Sequence, residues 1–156
     1  MKILGVDPGS TRIGYGLIRV EGGRLHCEHY GLLDLAQVDP ERRLLELHRR
    51  LGRILDAHQP DQLALERLFF FKNKRTALSV SEARGVIRLL ALERKIETVE
   101  YTPTQVKQAV STHGTARKEE VQKMVRIILG LTETPQPDDV ADALALAICA
   151  SQKRGY

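Results

Sequence analysis

A chain of 156 residues, 42% hydrophobic, is long enough to bury a core without metal or disulfide staples, and its composition excludes global disorder. Its two cysteines, Cys27 and Cys149, stand in no CxxC spacing, which argues against a disulfide framework or a cysteine-based zinc site. Twenty-four basic against 20 acidic residues leave a net charge of +4, which permits a nucleic-acid partner without demanding one. The apolar run at residues 3–6 is broken by Asp7, too soon for a signal peptide or a membrane span, so the expectation is a soluble, cytoplasmic protein.

That first run reads as a strand buried on both faces, followed by turn chemistry at Asp7-Pro8-Gly9-Ser10. Residues 13–20 and 25–35 read as the next two strands, joined through Gly22-Gly23 as a hairpin. In the third strand Leu25, Cys27, Leu33 and Leu35 share one parity, which assigns them to one face. From Glu41 to His58 the period changes. Leu44, Leu47, His48, Leu51, Ile54 and Leu55 make a helical stripe that Pro60 closes, with His48 expected as a packed residue.

Residues 62–66 make a fourth strand, 76–95 a long helix and 98–101 a fifth strand. Thr102-Pro103 has the form of an N-cap and first helical residue, and that helix is expected to stop near His113-Gly114. Thr115 is expected to cap a helix stopped by Gly130, and the closing helix follows Pro135 and Pro137. A meander followed by strand–helix crossovers predicts an α/β domain spanning residues 1–156. Its five-stranded mixed sheet would carry helices on both faces.

Asp7 follows a buried strand directly, Glu66 ends another, and Asp138, Asp139 and Asp142 crowd the start of an otherwise apolar helix. If the first and fourth strands are parallel neighbours, Asp7 and Glu66 project from the carboxyl edge where open α/β sheets bind ligands. Asp139 and Asp142 are three apart and share a helical face, although Asp138, four from Asp142, could share it too. Taken singly, each acid has a structural account: helix dipole for the first-turn acids, turn chemistry for Asp7. Together they repel, and a cation between them relieves that repulsion. Hard oxygen donors suit Mg²⁺ or Mn²⁺, and a pair of such ions is the usual apparatus of phosphodiester hydrolysis.

The segments Asp7-Pro8-Gly9-Ser10, Gly14-Tyr15-Gly16, Glu66 with Phe69 and Lys72-Asn73, and Ala83-Arg84-Gly85 resemble the RuvC Holliday junction resolvases. So do Gln105-Val106-Lys107-Gln108, Lys118 and the segment from Asp139 to Ala145, and the resemblance runs in register from Ile3 to about Ala150. It implies an RNase H-like fold and an active site of two metal ions held by Asp7, Glu66, Asp139 and Asp142. It also implies a homodimer making paired nicks in a four-way DNA junction beside the branch-migration proteins RuvA and RuvB. The family motif favours Asp139 over Asp138, which stands as an extra acid beside it.

Phe69, Phe70 and Phe71 are the only phenylalanines and precede Lys72-Asn73-Lys74-Arg75. Three in a row cannot all enter one core; aromatics beside basic residues can stack on or wedge between bases, and the alternative, kept open for Phe70 and Phe71, is packing at the sheet edge or a dimer interface. The family match singles out Phe69 as the base contact, with Lys72, Asn73, Lys74 and Arg75 as DNA-binding neighbours. Arg117 and Lys118 occupy a helix start where cations are disfavoured, which points to a phosphate ligand there, the alternative being that Glu119 and Glu120 offset them. Lys107 matches a family position near the scissile strand, and both lysines are expected to stabilise charge on the reacting phosphate. Arg84 and Arg88, four apart on the long helix, are expected to line the DNA surface, whereas Arg42, Arg43, Arg49, Arg50 and Arg53 read as a solvated face.

The glycine-rich opening lacks the Lys-Ser/Thr ending of a P-loop, and an actin-like ATPase needs two such domains. A structure-indifferent RNase H-like nuclease acting on RNA and a catalytically silent junction-binding module remain as alternatives, separated by metal-dependent nicking of junction against duplex.

Overall fold

The computed structural model describes residues 1–67, 76–111 and 117–152. Strands β1 (Lys2–Pro8), β2 (Arg12–Glu21) and β3 (Arg24–Asp34) form the expected meander. Helix α1 (Arg43–His58) leads into β4 (Gln62–Glu66), α2 (Ala77–Glu93) and β5 (Glu97–Tyr101). The helices α3 (Pro103–Val110), α4 (Lys118–Leu129) and α5 (Asp138–Gln152) complete the chain. Sheet order is β3-β2-β1-β4-β5, with β1, β2 and β3 antiparallel and β1, β4 and β5 parallel.

Local signals explain most boundaries. Gly22 and Gly23 both take positive φ, 56° and 79°, as a two-residue hairpin of the right twist requires. Thr102 caps α3 as expected: its Oγ1 accepts the Gln105 N–H at 3.2 Å, and Gln105 Oε1 accepts the Thr102 N–H at 2.9 Å. Gly130 closes α4 in the left-handed region, φ 63°. Helix α4 starts at Lys118, where the Glu120 side chain accepts the Arg117 N–H at 2.9 Å. The expected cap Thr115 and the expected stop at His113-Gly114 lie outside the described residues.

Side-chain alternation divides the sheet into two cores. Leu4, Val6, Ile13, Leu17, Leu63 and Leu65 pack under α1 and α2, where Leu47, Leu51, Leu55, Ile87 and Leu90 are buried. Ile3, Ile18 and Ala64 pack on the opposite face against α5, with Val106, Val121 and Val125 from α3 and α4. His48 is half-exposed rather than packed, its Nε2 lying 3.5 Å from Glu93.

Strand β3 departs from the parity reading. Leu17 pairs with His29 but Ile18 pairs with Cys27, so Glu28 is an extra residue in the ladder. An extra residue reverses the faces beyond it. Leu25 and Cys27 therefore pack on the α5 side, while Leu33 and Leu35 pack under α1. Among the described residues no helix is long and apolar enough to cross a membrane.

Candidate active site

The parallel pairing of β1 with β4 ends at Val6 and Leu65, so Asp7 and Glu66 are the next residues on adjacent strands. Asp7 has the parity of Ile3 and Gly5, and Glu66 that of Ala64; all of these face α5. Both acids thus emerge from the carboxyl edge on one side of the sheet, beneath the start of α5.

Glycines bring that helix close. In the β1–β2 ladder Asp7 pairs with Gly14, and Gly5 with Gly16. A Cβ on Gly14 would overlap the Asp139 carbonyl oxygen, and one on Gly5 would overlap the Ala143 carbonyl oxygen. Only a sheet without side chains at these points admits α5 so near. Apart from Asp142 the helix is buried from Val140 to Ala150, and Asp138, Asp139 and Asp142 remain partly accessible at its N-terminal end.

The electrostatics follow from this convergence. Burial pushes the Asp7 carboxyl up to about 8, and the neighbouring charges of Asp142, Glu66 and Asp139 push the same way while Lys118 opposes them. Asp142 is also raised, first by burial and then by Asp138 and Asp139, with Lys118 again opposing. Lys118 Nζ lies 2.5 Å from Asp138 and 3.6 Å from Asp142. Its ammonium is raised mainly by the hydrogen bond to Asp138, whose carboxyl is correspondingly lowered. Arg12 Nη2 sits 2.8 Å from Asp139 Oδ2, yet that buried oxygen accepts no hydrogen bond among the described residues, so the contact is one of charge.

These donors fit a hard divalent cation in kind. One carboxyl is raised by burial and then by three neighbouring carboxylates, and a buried carboxylate oxygen accepts no hydrogen bond among the described residues. Among the described residues no three His, Cys, Asp or Glu side chains are gathered tightly enough to cage an ion as they stand. Asp139 is instead drawn toward Arg12, and Asp142 lies beside Lys118.

Of the residues singled out in the sequence, Asp7, Glu66, Asp139, Asp142 and Lys118 are brought together. Lys107 is half-buried on α3 and forms no ion pair among the described residues. Arg117 is exposed at the α4 cap. Phe69, Lys72, Asn73, Lys74 and Arg75 lie outside the described residues. Arg84 is a correction. Expected on a DNA-lining surface, it is only 7% exposed and is bound to the Glu66 carbonyl oxygen and the Glu100 carboxylate. Helical spacing to Arg88 had no means of showing which face the sheet would cover. Arg12 was missed as well, because its contact to α5 spans most of the chain and leaves no trace in local spacing.

Known proteins are similar to this chain over nearly its whole length. A family model, Crossover junction endodeoxyribonuclease RuvC, matches residues 3–150. A crossover junction endodeoxyribonuclease RuvC from Thermomicrobium roseum is 53% identical over 154 residues, 97% of this chain and 93% of that relative. The Thermus thermophilus RuvC structure superposes with a TM-score of 0.88 at 37% identity, covering 97% of this chain and 93% of that one. T. thermophilus RuvC in complex with Holliday junction substrate gives a TM-score of 0.87 at 35% identity, with the same coverage.

Proposed function

The chain belongs to the crossover junction endodeoxyribonuclease RuvC family, and on that premise we propose that Asp7, Glu66, Asp139 and Asp142 form its hydrolytic centre. It has the RNase H-like fold of that family and is a nuclease that resolves Holliday junctions in DNA recombination and repair. The observation that carries the site is Asp7, pushed up to about 8 where burial and three other carboxylates meet.

Family membership makes the enzyme dependent on a divalent metal. In this reading Asp7, Glu66, Asp139 and Asp142 hold two ions, Mg²⁺ or Mn²⁺. When bound, these supply an activated water and stabilisation of the departing 3′-oxygen. The residues themselves do the rest. The four carboxylates gather on one side of the sheet edge and leave the approach for a phosphate beside Lys118. Lys118, tethered by Asp138, offers its ammonium to the charge that builds on the reacting phosphate. Lys107 is assigned the same task from the neighbouring helix. In-line hydrolysis of this kind leaves a 5′-phosphate and a 3′-hydroxyl.

Phe69, Lys72, Asn73, Lys74 and Arg75 are assigned to hold the DNA, with Arg117 supplying a further phosphate contact. Residues 1–156 act as one nuclease domain in the cytoplasm, in step with RuvA and RuvB. A homodimer delivers paired, symmetric nicks because a two-fold axis repeats the site on symmetry-related strands. Helix α2 supports the pairing. Leu78, Leu89 and Leu92 are 72%, 50% and 72% exposed, and with Gly85 they share the helix face opposite its buried residues. A Cβ on Gly85 would meet nothing, which leaves room for a second α2.

The decisive experiment is cleavage of a synthetic mobile four-way junction beside linear duplex, with Mg²⁺ or Mn²⁺, for wild type and Asp7→Asn. Symmetric metal-dependent nicks confined to the junction and absent from the variant are expected. Tight binding without nicking in either metal, or equal cutting of every substrate, would overturn the reading.

A further inference from the structure

Arg84 is a buried cation that forms no ion pair with Asp7, Asp139 or Asp142 among the described residues. A guanidinium taken out of water is costly and persists only with fixed partners. Here the partners are the Glu66 main-chain carbonyl, reached by Nη1, and the Glu100 carboxylate, reached by Nη2. Both lie at the carboxyl edge of the parallel strands, where β4 leaves the sheet.

Direction of approach gives the contact its meaning. The neighbours of Arg84 on α2, namely Ala83, Ile87, Leu90 and Ala91, pack in the core beneath the sheet face opposite α5. Tyr101 and Val99 face α5, so Glu100, between them, faces α2. The Glu66 side chain shares the parity of Ala64 and points the other way, toward Asp139 and Asp142. Arg84 therefore grips Glu66 from behind. The ladder to β1 stops at Leu65, and on the β5 side Glu66 pairs with Tyr101 while the Arg67 N–H donates to Tyr101 O at 2.7 Å. Beyond Leu65, β4 has β5 on one flank and the guanidinium of α2 as a further clamp.

We propose that Arg84 is a positioning residue: its planar fork, bridging the Glu66 carbonyl and Glu100, fixes the end of β4 and so sets where the Glu66 carboxylate presents itself. It touches neither DNA nor the reacting atoms. Arginine suits the task because two donors in one rigid plane span two acceptors, which a lysine ammonium on a flexible stem does not reproduce. The inference rests on Glu66 being a ligand of the centre, and the experiment separates the two claims.

Wild type, Arg84→Lys, Glu100→Gln, Arg88→Gln and Glu66→Gln are titrated with Mn²⁺, and the rise in Tm over the EDTA-treated protein is followed. Junction binding in EDTA, and kcat and KM for nicking in Mn²⁺, are measured alongside. Arg84→Lys is expected to need about tenfold more Mn²⁺ at the midpoint, as loss of a residue that supports a ligand does. Its kcat should fall while junction binding in EDTA and KM stay at wild-type values. Glu100→Gln should shift the midpoint in the same direction by less, and Arg88→Gln, exposed on the same helix, not at all. A wild-type midpoint in both Arg84→Lys and Glu100→Gln overturns the proposal. So does a loss of junction binding in Arg84→Lys with an unmoved midpoint, which would make Arg84 a DNA contact after all. If Glu66→Gln itself leaves the midpoint unmoved, the ligand reading of Glu66 fails, whatever Arg84 does.

Discussion

Gly14 and Asp139 touch backbone to backbone, with no room for a Cβ between them. Because Gly14 is also the ladder partner of Asp7, the missing side chain on β2 sets how closely the first turn of α5 approaches the end of β1. A methyl group at Gly14 must push against main chain, which does not swing aside as a flexible side chain does. Gly14→Ala is expected to destabilise the protein by at least ~1–3 kcal/mol, seen as a Tm drop of roughly 3–10 °C. It should also weaken Mn²⁺-dependent stabilisation, since the displaced turn carries Asp139. A variant with unchanged Tm and unchanged Mn²⁺ response would show that α5 is not held by this contact.

The Asp7 carboxyl makes stability depend on pH in a direction opposite to the usual acidic residue. Its value in the folded protein is about 8 against an ordinary 3.8, so folding favours the protonated form. Without metal, the stability linked to Asp7 is fully present below its ordinary value and is lost as pH rises through about 8. The raised Asp142 adds in the same direction. Unfolding midpoints in EDTA are expected to fall between about pH 5 and about pH 9 for wild type. Asp7→Asn should flatten most of that slope and be the more stable protein at the alkaline end. Saturating Mn²⁺ should remove the decline in wild type by supplying the positive charge that the proton otherwise provides. A metal-free profile that rises with pH would contradict this arrangement of charge.

Asp7 and Glu66 were legible in the sequence because each ends an apolar run, and strand alternation with a parallel crossover leaves few places for such an acid. Thr102, Gly130 and the Gly22-Gly23 turn declared their boundaries through backbone chemistry local to a few residues. The β3 bulge was not legible. Its apolar positions obey one parity on paper, and only the cross-strand shift at Leu17 and Ile18 shows that Glu28 interrupts it. Arg84 and Arg12 escaped for a related reason. Charged side chains read as surface by default, while their partners, Glu66 with Glu100 and Asp139, are set by tertiary contact.

The outer face of α2 predicts an effect on coordination rather than on folding. Leu89 and Leu92 are largely exposed in the single chain, so charged replacements disturb little of its own core. The double variant Leu89→Glu, Leu92→Glu is expected to keep a Tm close to wild type and to sediment as a monomer. On a junction it should make single nicks in place of paired ones, because the second site is no longer fixed by symmetry. A variant that remains dimeric would place the two-fold contact elsewhere.

Lys118 lies between two carboxylates, 2.5 Å from Asp138 and 3.6 Å from Asp142, and the nearer one is the acid not assigned as a ligand. As long as Asp138 takes the ammonium, Asp142 is less occupied by it. Removing that charge leaves Lys118 to pair with Asp142, where it competes with a divalent cation for the same oxygens. Asp138→Asn is therefore expected to need several-fold more Mn²⁺ at the midpoint of activity and of thermal stabilisation. The half-exposed ion pair itself contributes no more than ~1 kcal/mol, so folding should be nearly unaffected. Asp138→Glu should restore the wild-type midpoint by keeping the charge. Lys118→Ala should behave differently, binding Mn²⁺ at least as well as wild type but losing about 100-fold or more in kcat with its transition-state charge. If Asp138→Asn and wild type share one Mn²⁺ midpoint, Asp138 is a bystander and Lys118 is positioned by something else.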